Sequence, residues 1–119
     1  MPTRSRAATY ARRRKRRMAK VEHDLTDVQW HALEAAWGGC AYCGAADPHL
    51  QRDCVIPILR GGRYTLANVV PACRSCNASK CGSEVTTWMR RKKLDEPAFL
   101  LRQALIARSI AGAGTDEPD

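Results

Sequence analysis

The sequence predicts a single small α+β domain, with short extended pieces set between helices and a core too small to hold on apolar burial alone. Three observations lead there. The chain has 119 residues, which is room for one domain. Aromatic residues make up 6% and hydrophobic residues 45%, so a large apolar core is not expected, and a domain this small usually needs a staple: disulfides, a metal or a partner. Four of the six cysteines fall in two C-x2-C pairs, Cys40 with Cys43 and Cys73 with Cys76.

Charge divides the chain. Of 20 Lys and Arg residues, nine lie in residues 1–20, where there is no acid; residues 21–119 then hold 11 basic and 12 acidic side chains. Residues 1–24 read as a disordered basic arm. A dense cluster of Arg12, Arg13, Arg14, Lys15, Arg16 and Arg17 is the usual footprint of phosphate contact, so the arm points to nucleic acid. No apolar run is long enough to span a membrane, and no apolar stretch follows the basic N-terminus as a secretory signal requires. The expectation is a chain that stays in a reducing cytoplasm, where paired cysteines read as metal ligands before disulfides.

The first helix starts at Thr26, an N-cap with Gln29 as its capping-box partner and Leu25 and Trp30 at the staple positions. Trp30, Leu33 and Trp37 make its apolar face, and Gly38-Gly39 stops it. Leu50 to Ile56 reads as a strand entering Pro57. Arg60-Gly61-Gly62-Arg63 is a turn, and Asn68 to Val70 is a second extended piece ending at Pro71. Arg74 to Lys80 is a short helix. Glu84 to Lys93 is another, with Val85, Trp88 and Met89 inward. Asp95 caps a last helix, with Phe99, Leu101, Ala104, Leu105 and Ile106 as packing residues. Residues 111–119 read as an acidic disordered tail, which leaves the folded domain over 25–110 with its core at 40–82.

The x2 spacing turns both sulfurs of a knuckle toward one ion, and two knuckles complete a tetrahedron. Cys40, Cys43, Cys73 and Cys76 therefore predict a structural Zn²⁺ site, closed and without an open coordination position. Cys54 and Cys81 have no such partner and read as partly buried thiols.

Between and around the knuckles stand Cys-Ala-Tyr-Cys-Gly (40–44), Asp53-Cys54-Val55-Ile56-Pro57, Gly61-Gly62, Asn68-Val69-Val70-Pro71 and Cys-Arg-Ser-Cys-Asn-Ala-Ser-Lys (73–80). This order and spacing resembles the HNH endonuclease family, the zinc-stapled ββα-metal nucleases of phages and bacteria. Its pattern is a C-x2-C knuckle, Asp-His-x-x-Pro, Gly-Gly, an Asn with Pro three residues later, and C-x2-C-Asn-x-x-Lys. The resemblance implies an α+β fold of the ββα-metal (HNH, His-Me finger) type, flanked by helices. It implies that Asp53 and Asn77 hold a catalytic divalent cation, Mg²⁺ or Mn²⁺, and that Asn68 orients the loop and the general base. Cys54 falls where the family has its general-base histidine. Arg60, Arg63 and Arg74 lie near that site as candidate contacts to the scissile strand.

Phosphodiester hydrolysis needs an in-line water, a base for its proton and a cation facing the scissile phosphate. A carboxylate and an amide oxygen suit a hard divalent ion and leave positions open. A thiol with an ordinary pKa near 8.5 is mostly protonated at neutral pH and prefers soft metals. His49 sits five residues before Cys54, about 13 Å of strand from Asp53, and is a poor substitute base. The sequence thus points to a metal-dependent HNH-type DNA endonuclease impaired at Cys54, in a bacterial cell or phage-infected host. It would need no small-molecule cofactor, and the sequence names no protein partner. The alternative is a non-catalytic, zinc-stabilised nucleic-acid-binding module.

Overall fold

The computed structural model describes residues 24–115; the arm residues from Arg12 to Arg17 and the last four residues of the tail lie outside them. Helix α1 (Asp27–Trp37) begins where Thr26 closes a capping box: its hydroxyl accepts the Gln29 N–H at 3.1 Å, and the Gln29 side chain accepts the Thr26 N–H at 3.0 Å. Its end is set by Gly38, left-handed at φ 71°, whose N–H returns to the Glu34 carbonyl. Trp30, Leu33 and Trp37 are buried, as their spacing predicts.

Strands β1 (Gln51–Cys54) and β2 (Val69–Ala72) pair antiparallel, with Asp53 opposite Val70 and Cys54 opposite Val69. Both strands depart from the expected limits, for identifiable reasons. β1 is shorter than Leu50–Ile56: after the Val55 N–H bonds the Asn68 carbonyl at 2.8 Å, the Ile56 N–H turns to the Asn68 side chain instead of a ladder partner. β2 runs through Pro71 rather than ending there. The Pro71 carbonyl accepts the Ala41 N–H at 2.8 Å, so the residue's polar edge faces the first knuckle, and β1 asks no donor of it.

Helix α2 (Arg74–Lys80) follows β2 at once and lies on β1, completing a ββα unit. Helix α3 (Val85–Arg91) buries Val85, Trp88 and Met89; Glu84 lies outside it as the N-cap. Helix α4 (Glu96–Thr115) starts with the Asp95 carboxylate accepting the Ala98 N–H at 3.1 Å. It extends past residue 110, beyond the expected start of the tail. Its packing face also differs from the expected one. Phe99 is buried and Ile106 and Ile110 are half-buried, while Leu101 (63% exposed), Leu105 (55%) and Ala104 face outward.

The core joins α1, β2, α3 and Phe99 of α4 around one aromatic cluster. Tyr42 stacks on Phe99 (5.1 Å, 4°) and meets Trp88 edge-on (5.0 Å, 80°), and Phe99 also touches Trp37 at 5.6 Å. Arg102 reaches across from α4 to the end of α1, donating to the Trp37 carbonyl at 2.9 Å with its guanidinium 4.7 Å from the Trp37 ring.

Candidate active site

The two knuckles meet. The sulfurs of Cys40, Cys43, Cys73 and Cys76 all lie within 4.8 Å of one another, and Cys43 and Cys73 are 3.8 Å apart. A tetrahedral zinc with bonds of about 2.3 Å sets its sulfurs about 3.8 Å from each other, so the donor set fits such an ion. Local geometry turns the thiols inward. The Gly44 N–H closes the first knuckle on the Cys40 carbonyl at 2.8 Å, and the Cys76 N–H points at the Cys73 sulfur at 3.4 Å. Cys40, Cys43, Cys73 and Cys76 thus have the donors and spacing that could hold a structural metal.

A second feature is formed by the C-terminal end of β1 and the helix after β2. A cleft of about 290 Å³ is lined by Asp53, Cys54, Pro57, Ile58, Asn77 and Cys81, among others. β1 supplies Asp53 and Cys54 at its C-terminal end, and α2 supplies Asn77 one residue after the zinc-type ligand Cys76. The fold thus brings three of the four expected hydrolytic residues to one opening. Asn77 donates from Nδ2 to the Gln51 side chain at 2.6 Å. Cys81, which ends α2 at a φ of 49° unusual for a non-glycine residue, sits at the same cleft, as does Arg52.

Asn68 does not line the cleft. Its side chain accepts the Ile56 N–H at 2.9 Å and donates to the Ile56 and Arg63 carbonyls at 3.1 and 2.9 Å. One amide thereby fixes both ends of the loop from Ile56 to Arg63. Gly62 makes that loop possible. A Cβ there would stand 1.7 Å from the Ile56 carbonyl oxygen and 2.8 Å from the Asn68 amide nitrogen, which no other residue tolerates.

Asp53 is 6% exposed and engaged from within. The Tyr42 hydroxyl donates to its Oδ2 in a short hydrogen bond, and the Lys80 Nζ, itself fully buried, lies 3.3 Å from the same oxygen. Lys80 also donates to the Cys54 carbonyl at 2.9 Å. Lys80 is the lysine that closes the C-x2-C-Asn-x-x-Lys spacing, which gives it no role, and Tyr42 is not singled out by spacing at all. Both occur inside the Cys-Ala-Tyr-Cys and Cys-Asn-Ala-Ser-Lys stretches, and that placement is the available signal.

Burial raises the Asp53 carboxyl above the usual carboxylate range, against the opposing pull of Tyr42 and Lys80. Burial also pushes the Cys54 thiol up to about 11, with the Asp53 charge adding to the rise. At neutral pH Cys54 is therefore a thiol, without a lone pair basic enough to take a proton from water. His49 is exposed in the turn before β1 and does not line the cleft. Of the basic residues, Arg60 is exposed with Nε 3.5 Å from the Gly82 carbonyl at the cleft edge, and Arg74 is exposed at the start of α2. Arg63 is turned back onto its own loop, donating to the Gly62 carbonyl at 2.6 Å. No helix among the described residues is long and apolar enough to cross a membrane.

A family model described as HNH endonuclease matches residues 40–94. The SPbeta prophage-derived protein YoqL of Bacillus subtilis (strain 168), which carries the HNH endonuclease name, is 30% identical over 86 residues. That match covers 63% of this chain and 37% of YoqL, so the chain spans little more than a third of that relative's length. No solved structure matches the chain at a significant level. The matched segment holds both knuckles, both strands, the cleft and the Asn68 loop, so the site-bearing part of the chain is what is similar to the HNH endonuclease family.

Proposed function

We propose that the chain is a metal-dependent DNA endonuclease of HNH type whose hydrolysis is slowed by Cys54. The observation that carries this reading is the single cleft walled by Asp53, Cys54 and Asn77, with Asn68 holding the loop above it. The Cys40–Cys76 cluster holds a structural Zn²⁺ with no part in the chemistry, since four thiolates close the coordination shell. Asp53 and the Asn77 amide oxygen hold a catalytic divalent cation, Mg²⁺ or Mn²⁺, which when bound supplies positive charge to the scissile phosphate and the leaving oxygen. Asn68 keeps the Ile56–Arg63 loop, and with it the cleft wall, in one shape. Arg60 faces solvent at the cleft edge and Arg74 at the start of α2, and both suit the flanking phosphates; Arg63 serves the loop first. The arm from Arg12 to Arg17 adds sequence-independent affinity for DNA. YoqL is prophage-derived by name, which supports a bacterial cytoplasm or a phage-infected host as the setting.

Cys54 is where this chain parts from the family's chemistry. A protonated thiol cannot accept the proton of the attacking water, so either hydrolysis is weak or the chain acts by binding alone. The buried thiol favours that second reading, a nucleic-acid-binding module on a nuclease frame. Plasmid cleavage with Mg²⁺ or Mn²⁺ separates them, comparing the chain as it stands with Cys54→His and Asp53→Ala. The nuclease reading expects slow cleavage, faster in Cys54→His and absent in Asp53→Ala. Inactivity of Cys54→His with its fold and metal intact replaces it with the binding module.

A further inference from the structure

The inner side of Asp53 is built with more care than a turn acid requires. Two groups from different parts of the chain converge on one of its oxygens, Oδ2. Tyr42 comes from the first knuckle, two residues after Cys40, and its ring is clamped by stacking on Phe99 at 5.1 Å and by the edge contact with Trp88 at 5.0 Å. Lys80 comes from the end of α2, four residues after Cys76, and its Nζ lies 3.3 Å from Oδ2 and 2.9 Å from the Cys54 carbonyl. Among the described residues, no hydrogen bond or ion pair of Asp53 falls on Oδ1, while the residue itself lines the cleft.

We propose that Tyr42 and Lys80 are positioning residues for the cation ligand: by holding Oδ2 from the inside, they fix Asp53 so that Oδ1 is presented to the cleft as a single-oxygen ligand for a divalent cation. The proposal rests on the reading of Asp53 as a ligand and adds what makes it a good one. Stability alone does not account for the arrangement. A buried ion pair loses in desolvation about what it gains in attraction, and apolar residues of the same volume commonly do as well. Here a lysine with no exposed surface and a buried tyrosine are kept polar in a core of few residues, directly behind the cleft wall. Groups that orient a metal ligand in this way typically change metal affinity by about 10- to 100-fold when removed. The two positioning groups also arrive from the two knuckles, so the sulfur cluster and the cleft share one rigid frame.

The test is Mn²⁺ titration of the full chain, purified with its structural metal and followed by electron paramagnetic resonance. Zinc content and thermal melting are recorded alongside. Tyr42→Phe keeps the ring in its stack and removes only the hydroxyl. It is expected to weaken Mn²⁺ binding about tenfold, with zinc content and melting little changed. Lys80→Met gives an independent reading by its sign. A positioning role predicts weaker Mn²⁺ binding, whereas a lysine acting only as a repelling charge would give tighter binding on removal. Unchanged Mn²⁺ affinity in Tyr42→Phe, or a gain in Lys80→Met, overturns the proposal while Asp53→Ala still abolishes binding. If Asp53→Ala itself leaves Mn²⁺ binding intact, the reading of Asp53 as a ligand falls, and the positioning role falls with it.

Discussion

The sulfur cluster and the cleft sit on the same ββα unit and are supported by the same helix, yet they differ in how completely their chemistry is supplied. At the cluster every donor is a thiol, and all four converge. At the cleft the frame is equally well made: Asn68 ties the loop, Gly62 allows its close approach, and Tyr42 and Lys80 brace Asp53. The residue that would do the proton transfer is a buried thiol. On the proposed reading, the scaffold for hydrolysis and the base for hydrolysis are separable. The first is specified by packing and hydrogen bonds spread over many residues, the second by the chemistry of one side chain.

The comparison breaks most severely at the cluster. Strong chelation, or Cys73→Ser, is expected to unfold the domain outright, because metal binding and folding are one equilibrium in such sites. Far-UV circular dichroism and metal analysis check it, with about one zinc per chain before chelation. At the cleft the expected change has the opposite sign. Cys54→His should raise plasmid cleavage by about 10²–10⁴, the usual worth of a positioned general base, without moving the melting temperature much. Next in size is Gly62→Ala, whose Cβ would meet the Ile56 carbonyl at 1.7 Å. A loss of about 3 kcal/mol in denaturant unfolding is expected, together with weaker Mn²⁺ binding as the cleft wall shifts.

Two smaller effects sharpen the picture away from both sites. Deleting residues 4–20 should flatten the dependence of log DNA affinity on log salt by roughly 0.9 for each phosphate that the arm neutralises, and should leave metal binding untouched. An unchanged slope would make the arm a solubilising tail. The smallest effect belongs to Glu84, which caps α3. Hydrogen bonds from the Thr87 hydroxyl and the Thr86 and Thr87 N–H groups hold its carboxyl down at about 2. Its ordinary value lies near 4.3. The folded value is therefore depressed: this contribution is fully present above about pH 4.3 and is lost as pH falls toward 2. Thermal melts of Glu84→Gln and the unaltered chain should converge across that window.

Much of this is legible in the sequence because it is written locally. Thr26 and Gln29 stand three apart, Gly38 stops a helix, and two C-x2-C pairs need only short turns to face inward. Asp53 and Asn77 are legible through the register of the motifs around them. What escapes is decided at a distance. The apolar residues of α4 are spread around the helix, and which face is buried depends on where α1 and Trp37 lie; Phe99 wins that position and Leu101 and Leu105 do not. Tyr42 reads as an ordinary knuckle aromatic until the fold sets Asp53 against it, 11 positions along the chain. Pro71 reads as a strand stop until the first knuckle is seen to occupy its outer edge.

The sulfur cluster has one consequence for how the chain comes to be folded at all. Its cross-link from Cys43 to Cys73 encloses 29 residues, among them both strands and the loop between them. Closing a loop of that length costs an open chain roughly 3–4 kcal/mol of entropy. A bound ion meets that cost before the strands have to find each other, so the β1–β2 search becomes a local one. A nascent chain without the ion faces the search unaided and stays open to proteases.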